Sequence, residues 1–180
     1  MNGDILTSDI EKALSLMPEG DIAEIGVLRG RTFARLVQMS DRHCHAFDSF
    51  CGMAEPGPLD GDRYPKGKFD VGGVEAFRKG LPATLSDYTL HPGFIPSCFD
   101  YDLKFAFMII DVDHYQPTMD SLEYADECLE HHGILFLDDY FPGCTELAST
   151  AIDEWLSSVR KLKYEVVQVV EDQLMLRKLE

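Results

Sequence analysis

The sequence predicts an α/β protein built on a mostly parallel sheet, and three observations carry that prediction. Short apolar runs alternate with helical stretches along the whole chain. Two of the runs, Lys104–Ile110 (KFAFMII) and Ile134–Leu137 (ILFL), are continuously apolar, as strands buried on both faces are. The last two runs, Tyr164–Val170 and Gln173–Arg177, flank a short acidic turn at 171–172 and read as a hairpin.

In chain order, residues 7–18 form an amphipathic helix with Ile10, Ala13, Leu14 and Met17 on one stripe. Asp21–Val27 is the first strand. The turn Leu28–Gly30 leads into a helix carrying Phe33, Leu36 and Val37 on one face. His43–Phe47 is the second strand, closed by Asp48. Residues 51–73 hold six of the 14 Gly and three of the nine Pro and read as a long loop; such a loop in a compact domain is more often functional than idle. A helix over Gly73–Lys79 and a strand over Ser86–His91 follow. After Lys104–Ile110, a helix is expected from Thr118 to His131, with Gly133 as its C′ stop and His131-His132 closing it. Ile134–Leu137 is then a central strand, and Thr145–Lys161 a helix with Ala148, Ala151, Ile152, Trp155, Leu156 and Val159 inward.

The whole chain, 1–180, reads as one domain without repeat or linker. A chain of this size buries roughly 70% of its unfolded surface and needs no disulfide or metal staple. It carries 32 acidic and 16 basic residues, a formal charge of −16, which opposes a nucleic-acid partner and favours cationic ligands. No apolar run reaches about 18 residues, so no membrane span is expected. The N-terminus lacks a signal-peptide pattern, and five widely spaced Cys suggest reduced thiols in a cytoplasmic setting.

Ligands of open α/β sheets bind outside the C-terminal strand ends. Every strand except the hairpin ends there in acid or glycine. The first turn is Glu24-x-Gly26-x-x-x-Gly30, whose glycines allow close backbone approach. Its acid would repel a pyrophosphate and suit an amine or a sulfonium. Asp48, about 20 residues on, is placed to accept from ribose hydroxyls. Asp111, Asp138 and Asp139 end two adjacent central strands; three hard oxygen donors suit Mg²⁺ better than zinc. The competing readings are a tight turn with solvated acids, and a helix cap at Asp138 or Asp139. The pair His43-x-His45 beside Cys44 and Cys51 invites a zinc reading but lacks a fourth ligand.

Glu24-Ile25-Gly26-Val27 with Gly30, Asp48-Ser49-Phe50 with Gly52, Asp111-Val112-Asp113-His114-Tyr115 with Thr118, and Asp138-Asp139-Tyr140 together resemble the macrocin O-methyltransferase family. The resemblance spans about residues 20–157. It implies a Rossmann-like class I methyltransferase: a mostly parallel seven-stranded sheet with a C-terminal antiparallel hairpin and helices on both faces. It implies S-adenosylmethionine as cofactor, held by Glu24, Gly26, Val27, Gly30, Asp48, Ser49 and Asp111, with Phe94 near the adenine. It implies Mg²⁺ at Asp111, Asp138 and Asp139, and a sugar or other small-molecule hydroxyl as acceptor. Members of that family often pair, so a homodimer is among its implications. The family has Leu where His114 stands, and the loop His that some members use as base is missing from residues 51–69. The candidates for proton removal are therefore His114, Tyr64 and Asp139, of which His114 follows the acidic loop directly. The loop 51–73, with Tyr64, Lys66, Lys68 and Phe69, is expected to close over cofactor or acceptor. Rival functions are a metal-dependent hydrolase or phosphatase using the Asp cluster, and a binding module without activity.

Overall fold

The computed structural model describes residues 7–140, 147–158, 162–170 and 172–180. Its elements are α1 (Thr7–Leu16), β1 (Asp21–Ile25), α2 (Arg31–Met39), β2 (Cys44–Asp48), α3 (Val74–Gly80), β3 (Tyr88–Pro92), β4 (Phe105–Ile110), α4 (Tyr115–Cys128), β5 (Leu129–Leu137), α5 (Leu147–Ser157), β6 (Tyr164–Val170) and β7 (Gln173–Lys178). The seven strands form one sheet in the order β3-β2-β1-β4-β5-β7-β6. β1 to β5 pair in parallel, while β7 runs antiparallel to both β5 and β6. The expected fold, with its C-terminal hairpin, is the one observed.

Two apolar layers cover the sheet. One joins Ile10, Phe33, Leu36 and Phe77 from α1 to α3 to Ile22, Ala46, Phe107 and Ile109. The other joins Leu122, Ala125, Ile152 and Trp155 from α4 and α5 to Ile25, Phe47, Met108 and Ile110. All six residues of β4 are buried, which accounts for its uninterrupted apolar sequence. A register shift between Phe105 and Phe107 puts these two rings on opposite faces, as a bulge does.

The expected boundaries that differ most lie around α4 and β5. Helix α4 starts at Tyr115, with His114 as its N-cap, and ends at Cys128. Gly133 is therefore no helix stop: it lies within β5, which begins at Leu129. A Cβ on Gly133 would stand 2.8 Å from the Glu130 carbonyl, so the glycine serves a kink in the strand. His131 and His132 lie in that same kinked stretch, with His132 at φ 64°, and not at a helix end. The expected helix over 145–161 is present as Leu147–Ser157. Its proposed ends Thr145 and Lys161, together with Val159, lie outside the described residues, as do Cys144 and Glu171 of the acidic turn. The four described cysteines are all free thiols. Among the described residues no helix is long and apolar enough to cross a membrane.

Candidate active site

The C-terminal ends of β1 to β4 open into one cavity of about 240 Å³. Of the residues expected at a site, Gly26, Asp48, Ser49, Phe94, Asp111 and His114 line it. Glu24, Val27, Gly30, Tyr64, Asp138 and Asp139 do not.

The cavity floor is set by Gly26. Its φ is 84°, and a Cβ there would lie 2.0 Å from the Asp111 carbonyl oxygen. Only glycine lets the turn after β1 press against the end of β4. Gly30 has a different task. Its φ of 72° and its packing on Phe77 and Leu81 let α3 approach the start of α2.

Asp48 organises the wall. Its Oδ2 accepts from the Val27 and Leu28 amides at 2.9 and 3.2 Å, and its Oδ1 from the Phe50 amide at 2.7 Å. One carboxylate thus ties the turn after β1 to the turn after β2. A carboxylate has about four lone-pair sites, so at least one remains for a ligand hydroxyl. Val27 contributes only its backbone here. Ser49 Oγ donates to the Gly52 carbonyl at 2.6 Å and shapes the next turn. Phe94 stands half exposed at the rim, beyond Gly93.

Beneath this floor the charge is unbalanced. Glu24 is buried and its Oε2 has no hydrogen-bond partner. Burial first, and then the charges of Asp111, Asp48 and Asp138, hold its carboxyl well above the usual range. Asp111 is raised likewise, by burial and then by Asp138, Asp139 and Asp113. Burial pushes Asp138 up to about 7, against the opposing hydrogen bond from Gln173 Nε2 to its Oδ1 at 3.0 Å. Such a cluster attracts cations.

The donor chemistry suits a hard divalent ion, but the arrangement does not. Among the described residues, no three His, Cys, Asp or Glu side chains are grouped to hold one ion. Asp111, Asp138 and Asp139, expected to hold magnesium, are not grouped in that way, and Gln173 Nε2 takes one oxygen of Asp138. The zinc reading fails similarly: His43 is bonded to Asp87 and Thr89, and His45 to His91 and Asp21.

The third wall is the loop 51–73, which supplies Gly52, Met53, Ala54 and Phe69. Opposite them stand Asp113 and His114. Burial raises Asp113, while a hydrogen bond with Tyr64 opposes the shift. Burial first, then Asp113, push the Tyr64 phenol up to about 12. His114 is 3% exposed, and its Nε2 donates to the Tyr64 carbonyl at 3.0 Å. A carbonyl only accepts, so Nε2 carries the proton and Nδ1 the lone pair in neutral His114. Sequence reasoning missed Asp60, a carboxylate buried in this loop. It also missed Phe47 and Met53 as lining residues. Nothing about an Asp between Leu59 and Gly61 distinguishes it from a solvated loop acid.

No protein-family model and no curated protein sequence matches the chain. Solved structures do. The O-methyltransferase NovP superposes with a TM-score of 0.71 at 18% identity, covering 97% of this chain and 79% of NovP. The fold is one that methyltransferases share. The calicheamicin methyltransferase CalS11 gives 0.71 at 19% identity, over 95% of this chain and 76% of its own. A Streptococcus mutans protein described as a methyltransferase and solved with S-adenosylhomocysteine gives 0.64 at 13%, over 99% and 100% of the two chains. Proteins described as rRNA methylases are among the other matches. At such identities the likeness establishes the fold; it does not single out the macrocin O-methyltransferase family.

Proposed function

We propose that the chain is an S-adenosylmethionine-dependent O-methyltransferase acting on a hydroxyl of a sugar or another small molecule. The observation that carries this reading is the Gly26–Asp48–Asp111 constellation. A glycine turn without room for a Cβ, a carboxylate spanning two strand ends and a raised acid line one cavity at the sheet edge. The neighbours support it, since CalS11 is described as a TDP-rhamnose 3′-O-methyltransferase.

The residues fit such a cofactor. Asp48 retains acceptor capacity for ribose hydroxyls, Phe94 offers an aromatic face at the rim, and the Glu24–Asp111 region favours positive charge. When bound, the cofactor supplies an electrophilic methyl on a sulfonium centre. The protein's part is alignment, exclusion of water and removal of the acceptor proton. His114 Nδ1 is the atom we assign to that proton. Of the three candidate bases, His114 alone lines the cavity. Tyr64 fixes its tautomer through the carbonyl. No step is assigned to magnesium.

The formal charge of −16 favours a small acceptor over RNA. The hydrolase alternative needs a formed metal cluster and leaves Asp48 unused. Incubation with methyl-labelled S-adenosylmethionine and a panel of nucleotide sugars, glycosides and catechols tests the proposal. Label transfer to a hydroxyl, with release of S-adenosylhomocysteine, is expected. A chain that leaves the cofactor unbound and every acceptor unmodified overturns it.

A further inference from the structure

The loop 51–73 is rich in Gly and Pro, yet it holds a side chain as buried as the core. Asp60 is 4% exposed. Its Oδ2 accepts from the Gly57 amide at 2.7 Å, within the loop. Its Oδ1 crosses to α4 and accepts from the Tyr115 amide at 2.8 Å. Tyr115 is the first residue of α4, so this amide has no partner inside the helix. The helix dipole there favours a negative charge. His114 adds a second tie to the loop: its Nε2 donates to the carbonyl of Tyr64, while its Nδ1, 4.0 Å from Asp60 Oδ2, makes no hydrogen bond to it in the neutral ring. No side chain of α4 caps its N-terminus. The loop supplies that cap.

We propose that Asp60 is a positioning residue: it pins the loop 51–73 to the N-terminus of α4 and so holds Met53, Ala54 and Phe69 over the cavity. The inference rests on the methyltransferase reading for its effect on ligand binding, but not for the latch itself. A burial cost of this size in an exposed loop is offset only by charge-assisted bonds to both partners. Without the carboxylate, the Tyr115 amide faces no acceptor from the loop at this position. The wall carrying Met53 and Phe69 is then free to move off the cavity.

Amide hydrogen exchange and calorimetric titration with S-adenosylhomocysteine test this on the full chain. In Asp60→Ala, the Gly57 and Tyr115 amides should exchange at least about tenfold faster, the equivalent of 1.4 kcal/mol. Amides of β4 should be unchanged. S-adenosylhomocysteine affinity should fall by a similar factor, which a role in stability alone would not produce. Asp60→Asn, which keeps one carbonyl oxygen for Tyr115, should restore Tyr115 protection and most of the affinity. It also stands in should the alanine variant fail to fold. Unchanged exchange and affinity in Asp60→Ala overturn the proposal, as does an Asn variant no better than Ala. If the wild-type chain binds no S-adenosylhomocysteine, the methyltransferase reading fails, and the exchange arm still decides the latch.

Discussion

The two halves of the sheet use their acids in opposite ways. In the parallel half, β3-β2-β1-β4, the strand ends open together and Asp48 is turned inward to backbone amides. It holds three amides, keeps acceptor capacity for a ligand, and lines the cavity. In the half that contains the hairpin, β5-β7-β6, Asp138 also ends a parallel strand, but the antiparallel β7 brings Gln173 against it. That carboxyl is taken up by a neighbouring side chain and does not line the cavity. The same residue type at the same sheet edge thus acquires different roles, according to whether the adjacent strand enters from the same end or the opposite one.

Four substitutions break or sharpen this contrast. The largest effect is expected from Gly26→Ala, because its Cβ would lie 2.0 Å from a backbone carbonyl at a φ of 84°. A loss of about 3 kcal/mol or more in denaturant unfolding is expected, with no cofactor binding in whatever folds. Next comes Asp48→Ala, which strands three amides. Charge-assisted bonds contribute roughly 1.5–3 kcal/mol each, so S-adenosylhomocysteine affinity should drop about a hundredfold. A drop under threefold would show that the carboxylate is dispensable. Gln173→Ala removes the partner of Asp138 and should cost about 1–2 kcal/mol of stability while leaving that affinity intact. A parallel loss of affinity would join the two halves into one site.

The smallest effect is a gain. Glu24 has a raised carboxyl in the folded chain, so the native state binds more protons than the unfolded one. Its contribution is then favourable at low pH and is lost as pH rises from the ordinary carboxyl value of 4.5 through the raised value of the folded chain. Glu24→Gln, which mimics the neutral form, should raise the melting temperature at pH 8 by about 2–4 °C per kcal/mol relieved, and by little at pH 4. A lower melting temperature at pH 8 would place a bound cation or a hidden partner at this carboxylate.

Much of this was legible in the sequence. The continuous apolar run of β4, the glycine turn and Asp48 each follow from local pattern, because one strand and its turn define them. The hairpin was legible for the same reason. What was not legible depends on contacts between distant segments. Gly133 reads as a helix stop until the pairing of β5 with β4 makes it a strand kink. The partner of Asp138 is hidden as well, since β7 delivers Gln173 from 35 residues away in sequence. Asp60 looks like any loop acid, since the amide that buries it belongs to Tyr115, 55 residues on. His114 was singled out as a base from its place after Asp113; its tautomer is fixed by the carbonyl of Tyr64, which the sequence does not bring near.

The central claim is that the cavity at the ends of β1 to β4 holds an S-adenosyl ligand, with Asp48 as its organiser. Calorimetric titration of the wild-type chain with S-adenosylhomocysteine, beside Asp48→Ala, tests it most directly. The account predicts one site per chain with a Kd of about 10 μM, near −7 kcal/mol, weakened about a hundredfold in the variant. Absence of binding to the wild-type chain at millimolar ligand, or equal affinity in both proteins, would contradict it.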